Sequence, residues 1–335
     1  MNKHYPQISA YLAEFADELG YEILIEPSYG YVGRIKTRTG KILFYHTTRF
    51  DINGLGASEI AKDKTFASYF MKELGYPVPE GDSFYSDYWS KIVKSDKDTM
   101  AAVKYAEKLG FPLIVKPNSE SQGRGVVKVH NVDELKGAMS MIFEDIKDRV
   151  AIVQEVAVGK DYRIVVLDRE VICAYRRTPL AIVGNGKSTV TQLLQAKQAE
   201  FVTRGRDTTL TIEDPRIAHS LTYLHSTLDT IPESGKTMEL LANANLSSGG
   251  DAEDVTDLLH EDYKKMAIKL TRDMGLRFCG VDIMTGGPID QPISDYTVIE
   301  INSAPGLDYY AETGAKQKEI VKNLYRKLIQ YMINA

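Results

Sequence analysis

Lys116 closes a short apolar run, and a small polar loop follows in which Gly123 and Gly125 flank Arg124. This pattern suits phosphates, because glycines let backbone N–H groups approach an anion while lysine and arginine supply charge. Lys116, Ser121, Gln122, Gly123, Arg124 and Gly125 are therefore candidates for a phosphate site and its covering loop. A surface lysine ahead of an ordinary hairpin loop is the competing reading of this stretch alone.

Farther along, Asp282 in CGVDIM and Glu300 and Asn302 in VIEIN sit among apolar neighbours. A buried carboxylate must be paired, protonated or metal-bound, and the Glu-x-Asn spacing points both side chains to one face of a strand. Three oxygen ligands on two strands suit Mg2+, with a solvent-facing Glu and Asn as the alternative. In QEVAVGKDYRIVV, backbone groups of the hinge-like AVG that follows Glu155 and Val156 could read an adenine edge and Asp161 a ribose hydroxyl, although a plain hairpin turn is the better reading of this stretch by itself. Arg176 and Arg177 end a strand and could clamp a carboxylate or a transferring phosphate.

Residues 181–188, AIVGNGKS, fit a relaxed phosphate-loop pattern built on Lys187. A loop of that kind leaves a buried parallel strand, whereas the preceding segment reads as half of a short hairpin broken by Pro179, so a polar turn is expected here. His219 and His225 are six apart, off the one-face spacing of a helical metal pair, and with His46 and His260 they read as structural or exposed.

The elements that must position these groups follow from periodicity. Ile8, Leu12, Phe15 and Leu19 recur at helical spacing and stop at Gly20, and three short strands follow. Asp63 can cap a helix containing Phe66, Phe70 and Leu74 that stops at Gly75. Helices are predicted over 95–110 and from Asn131 to about Ile146, with strands over 112–116, 125–129 and 150–156. Beyond them come a hairpin over 163–176 broken at Asp168, a helix over 263–274, strands at RFCGVDIM and TVIEIN, and a helix over about 318–332. The polar stretch from Lys187 to about Thr237 is the least legible part. The expected division is 1–60, a small N-terminal α/β unit; 61–158, a first lobe with the phosphate-covering loop; and 159–335, a second lobe with the acidic residues.

At 335 residues with 43% hydrophobic and 26% charged composition, the chain can bury a large core. A net charge of -5 gives no whole-chain attraction for nucleic acid or an anionic membrane, so any anion must be met by locally placed cations. Cys173 and Cys279 are far apart and without metal-ligand spacing, which suits two buried thiols in a reducing compartment. The N-terminus lacks a signal-peptide core and no apolar run is long enough to span a bilayer, so a cytoplasmic location is the expectation.

Taken in order, DKTFASYFMKELGYPVPEG, FPLIVKPNSESQGRGV, QEVAVGKDYRIVV, CGVDIM and VIEINSAPG resemble the ATP-grasp superfamily of carboxylate-amine ligases over about residues 60–335. YRRTPLAIVGNGKSTVTQLL and LLANANLSSGGDAEDVTD further resemble the ATP-grasp portion of the cyanophycin synthetases. The resemblance implies an α+β, ATP-grasp fold of two α+β lobes clasping ATP, and ATP and Mg2+ as cofactors. It places Lys64 and Lys116 on the phosphates, the SQGRG loop over them, Glu155 to Ala157 at adenine, Asp161 at ribose, and Asp282, Glu300 and Asn302 on Mg2+. Arg163 and Arg177 become candidates for the γ-phosphate and the substrate carboxylate. The implied reaction joins a carboxylate, of an amino acid or short peptide, to an amine through an acylphosphate, releasing ADP and phosphate. Cyanophycin synthetases also carry a larger N-terminal region and a Mur-ligase-like half, and SAPGLDYYAETG replaces a more basic stretch, so the chemistry carries over further than the substrate. Small-molecule partners are expected, with no nucleic acid or membrane and with a homo-oligomer left open. A P-loop-type NTPase using Lys187 and a non-catalytic nucleotide-binding module are the rival readings; a pure binder has less need of the acidic trio.

Overall fold

The computed structural model describes residues 5–204, 206 and 208–334. Helix α1 (Gln7–Leu19) ends at Gly20 and leads into an antiparallel meander of β1 (Tyr21–Ile25), β2 (Val32–Thr37), β3 (Ile42–His46) and β4 (Arg49–Phe50). Two helices follow, α2 (Leu55–Lys62) and α3 (Lys64–Glu73), and Asp63 between them caps α3 by accepting the Phe66 N–H at 3.0 Å.

A first lobe is built on a four-stranded antiparallel sheet in the order β5-β8-β6-β7. Its elements are β5 (Gly81–Tyr85), α4 (Asp87–Val93), α5 (Thr99–Leu109), β6 (Leu113–Pro117), β7 (Val127–Val129), α6 (Val132–Ser140) and β8 (Val150–Glu155). The helix expected from residue 95 starts at Thr99 because Asp98 caps it, accepting the Ala101 N–H at 2.8 Å. The helix expected to reach Ile146 closes at Ser140 and widens into a π turn over Met141–Ile146.

The chain then crosses to a second lobe, a five-stranded antiparallel sheet in the order β13-β10-β9-β14-β15. It comprises β9 (Lys160–Leu167), β10 (Glu170–Thr178), β11 (Ala181–Val183), α7 (Val190–Thr203), α8 (Pro215–Tyr223), β12 (Thr237–Glu239), β13 (Asp251–Asp254), α9 (Glu261–Asp273), β14 (Phe278–Thr285), β15 (Thr297–Asn302), α10 (Asp308–Ala311) and α11 (Ala315–Asn334). Among these, β11 and β12 pair antiparallel and, with α7 and α8, bury Ile182, Leu194, Ile217 and Met238 in a small core of their own. This insertion fills the stretch that resisted reading in sequence.

Strand alternation divides the five-stranded sheet into two faces. Ile164, Val166, Ala174, Cys279, Val281 and Ile283 pack beneath α9 together with Ala61, Ala67 and Met71 of α2 and α3. On the other face, Val165, Leu167, Cys173, Tyr175 and Phe278 share one core with α1, the N-terminal meander and α11. The apolar cover reaches only part of this second face, and the same strands continue beyond it with charged residues. Both cysteines are buried and free, and no helix among the described residues is long and apolar enough to cross a membrane.

Candidate active site

Following β9 along the covered face, Leu167 and Val165 are succeeded by Arg163 and Asp161, and register sets their neighbours. Asp161 pairs with Arg177 on β10, Arg163 with Asp282 on β14, Asp282 with Glu300 on β15, and Gly280 with Asn302. All six polar side chains therefore project from one face of the sheet. Gly280 keeps the strip open, since a Cβ there would lie 3.4 Å from Arg163 Cδ and 3.1 Å from Pro305 Cβ.

Asp282, 4% exposed, is gripped from two sides. Arg163 donates to it from Nε and Nη2 at 2.6 Å each, and Arg177 approaches its Oδ2 through Nη2 at 3.0 Å. Arg177 also donates to Asp161 Oδ1 from Nε at 2.9 Å and Nη2 at 2.7 Å. Two positive and two negative charges thus neutralise each other in a buried site, which removal of one partner would leave uncompensated. Burial works against the Asp282 carboxylate, but Arg163 and Arg177 hold it below the ordinary range. For Asp161, burial wins and pushes the carboxyl upward despite Arg177. Nη1 of each arginine takes no part in these pairs, so both guanidinium groups are fixed in place with a donor left outside the cluster. Arg177 and not Arg176 joins the cluster, because Arg176 lies on the opposite face and pairs with Glu253.

Across the cleft, β6 delivers Lys116, which is 7% exposed. Burial drives its ammonium down from 10.5 to about 8, Glu300 opposes the shift, and Lys64 adds to it. Glu300 on the second lobe and Lys64 at the start of α3 thus act on Lys116 with opposite sign. Lys64 donates to the carbonyl of Glu120 in the glycine loop at 2.5 Å. Arg124 leans outward to Glu120 Oε1 at 3.3 Å, while Gln122, Gly123 and Gly125 all have positive φ and curl the loop tightly.

Beside them stands a joint that the sequence did not disclose. Asn118 Nδ2 donates to Asp63 Oδ2 at 2.8 Å, and Asn118 Oδ1 accepts from Thr65 N at 2.9 Å and Oγ1 at 3.0 Å. The end of β6 is thereby bolted to the start of α3, and the two lysines to one another. The only sequence signal was the position of Asn118 two residues after Lys116.

Residues 156–159 form the crossing from the first sheet to the second, so the hinge-like segment does connect the lobes. Glu155 at its start accepts the Glu80 N–H at 2.9 Å through Oε1 and donates its own N–H to the Glu80 carbonyl at 2.9 Å. Lys187 lies in an exposed turn where Asn185 Oδ1 accepts the N–H groups of Lys187 and Ser188 at 2.9 and 2.8 Å. The strand before it is the antiparallel β11, not a buried parallel one, which removes the structural basis of a P-loop. His219 contacts Lys128 O at 3.1 Å and Glu134 Oε2 at 3.7 Å, a packing role between lobe and insertion.

The chemistry of the donor set matches a hard divalent cation: two carboxylates and a carboxamide, oxygen donors all, on the adjacent strands β14 and β15. Among the described residues no group of three His, Cys, Asp or Glu is gathered for a metal, and Asn302 Nδ2 lies 3.5 Å from Asp282 Oδ2.

The family described as D-ala D-ala ligase C-terminus matches residues 70–192, and the RimK-like ATP-grasp domain matches residues 234–332. Cyanophycin synthetase of Nostoc sp. is 32% identical over 266 residues, which are 78% of this chain and 28% of that protein. The glutathione biosynthesis bifunctional protein GshAB of Enterococcus faecalis is 27% identical over 286 residues, 81% of this chain and 36% of that protein. The chain thus spans less than two fifths of the length of either curated relative. A crystal structure of a bifunctional glutathione synthetase from Pasteurella multocida shares the fold with a TM-score of 0.58 at 23% identity, covering 97% of this chain and 44% of that one. One family match carries Lys116, the glycine loop, the crossing and both arginines, the other carries Asp282, Glu300 and Asn302, and the chain belongs to the ATP-grasp superfamily.

Proposed function

We propose that the protein is an ATP-dependent ligase that joins a carboxylate, of an amino acid or short peptide, to an amine through an acylphosphate. The observation that carries this reading is the strip of charged groups on the second lobe facing a buried lysine and a glycine loop on the first. In this reading Lys64, Lys116 and the 121–125 loop hold the ATP phosphates, and the backbone of Glu155 to Ala157 meets adenine. Asp161 orients Arg177 and lies one residue into β9, where ribose would follow adenine. Mg2+ held by Asp282, Glu300 and Asn302 would offset negative charge on the phosphates when bound.

A carboxylate oxygen of the substrate attacks the γ-phosphorus, the bond to the bridging oxygen breaks, and ADP departs. The amine then attacks the acyl carbon, the carbon–oxygen bond to phosphate breaks, and inorganic phosphate leaves with the proton released by the amine nitrogen as the amide forms. Arg163 and Arg177, held rigid by Asp282 and Asp161, present their remaining N–H donors where negative charge accumulates in both steps. Preorganisation matters here because phosphoryl transfer depends chiefly on positioning and charge neutralisation. Lys116 keeps its charge below pH about 8 and draws the phosphates into the first lobe.

An ADP-release screen of amino acids and dipeptides in pairs, with mass spectrometry of products, tests the proposal. With the correct carboxylate, oxygen-18 moves from that carboxylate into inorganic phosphate. Label recovered in AMP would overturn the acylphosphate mechanism, and ATP binding without ADP release in any pair would leave a binding module.

A further inference from the structure

The insertion between β11 and β13 belongs to the second lobe by chain order, yet it reaches across and holds the glycine loop of the first. Arg216 Nη1 donates to the Gly123 carbonyl at 2.7 Å, Asn243 Nδ2 donates to the same carbonyl at 3.0 Å, and Ser248 Oγ donates to the Gln122 carbonyl at 3.2 Å. Two consecutive carbonyls of the loop are thus occupied by donors more than ninety residues away in sequence. Gly123 is at φ +71 and its position for a Cβ is 2.1 Å from Asn243 Nδ2, so the latch requires glycine there for shape and for space.

The latch is itself rigid. Asp214 caps α8 by accepting the Arg216 N–H at 2.9 Å and grips the same guanidinium, with Nη2 at 2.6 Å. At the far end of α8, Tyr223 stacks on His130 at 3.8 Å between centroids and donates to Glu134 Oε1 at 2.6 Å. Helix α8 therefore spans the first lobe from the tip of the loop to the start of α6.

We propose that Arg216 is a positioning residue, the central bolt of a latch by which the insertion holds the phosphate-covering loop closed and keeps water from the γ-phosphate and the acylphosphate. The inference rests on the proposed nucleotide role of that loop. A loop of small residues held from outside has little stability of its own, and removing its charged donor shifts it toward the open form.

The test uses the full chain and MgATP. Arg216→Ala increases proteolytic cleavage within residues 119–125 by about tenfold, as expected for loss of a charge-assisted hydrogen bond. It raises the KM for ATP with a smaller change in kcat, and raises ADP released per product formed, while the melting temperature stays at that of the parent protein. Arg216→Lys, which keeps one donor, restores part of the coupling, and Lys187→Ala, in the exposed turn of the insertion, changes none of these readouts. Parental cleavage, KM and coupling in Arg216→Ala overturn the latch. If Arg216→Ala melts early, Asn243→Ala and Ser248→Ala each remove a single neutral donor from the same carbonyls, and parental cleavage and coupling in both overturn it equally. Failure of the parent protein to bind MgATP counts against the nucleotide reading instead, so the two failures are distinguishable.

Discussion

Lys116 is the residue whose setting makes the sharpest demand. Its folded value of about 8 lies below the ordinary 10.5 because burial disfavours the cation. The fold therefore carries a penalty for the protonated lysine that is fully present below pH about 8 and is relieved as pH rises toward 10.5. Bound phosphates reverse that preference, so ATP binding should take up a proton wherever the free lysine is neutral. Affinity for MgATP is expected to fall above pH about 8, approaching tenfold per pH unit, while Lys116→Arg, which stays charged, has a flat profile. Calorimetry at pH about 9 in buffers of different ionisation enthalpy reads the proton directly, and an absence of uptake there would remove Lys116 from the phosphates. Lys187→Ala should leave ATP binding intact, since its turn is held by Asn185.

At the level of elements, the joint between β6 and α3 carries both lysines. Asp63 serves it twice, capping α3 through Oδ1 and accepting from Asn118 through Oδ2. Asp63→Ala should cost about 1–2 kcal/mol of stability, the typical loss of a cap, and should raise the KM for ATP as Lys64 drifts from Lys116. Asp63→Asn separates the two roles, because the carboxamide oxygen still caps the helix while its NH2 meets the NH2 of Asn118. Its expected signature is a near-normal melting temperature with weakened ATP binding, and normal binding would show that the joint does not position Lys64. Helix α3 also shows the limit of periodicity. Phe66, Phe70 and Leu74 mark a helical stripe, but that stripe is exposed and the helix buries Ala67 and Met71 instead. Packing against β15 and the second-lobe core decided which side of the helix turned inward.

The whole molecule shares one core between its chain ends. Leu12 and Phe15 of α1 and Tyr325 and Leu328 of α11 are buried with Val165 and Leu167, on the strand whose next two same-face residues are Arg163 and Asp161. The N-terminal unit therefore supports the covered part of the strip that carries the charges. Phe15→Ala should cost about 3–5 kcal/mol, as expected when a fully buried aromatic is truncated. Denaturant unfolding followed by circular dichroism and loss of ATP binding should move together to lower midpoints. ATP binding that outlasts the loss of α1 would show that the strip is held independently of the N-terminal unit.

Local chemistry determined much of this protein in advance. Alternation along β9, the apolar runs of β14 and β15, caps at Asp63 and Asn131, and a stop at Gly20 are properties of neighbouring residues, so the elements were legible. The Glu300-x-Asn302 spacing likewise put two oxygen-bearing side chains on one face, and the glycine loop after Lys116 announced itself by composition. What alternation could not say is where an apolar cover ends along a strand, since Arg163 and Val165 obey the same period. The cover formed by α1, the N-terminal meander, α10 and α11, arriving from the two ends of the chain, buries Val165 and stops short of Arg163. Nor could it choose between adjacent Arg176 and Arg177, until the register of β10 with β9 and β14 put Arg177 beside Asp161 and Asp282. The grip of Arg216 on Gly123 is a contact across ninety-three residues, and such a contact leaves no local signature because neither segment's own pattern depends on the other.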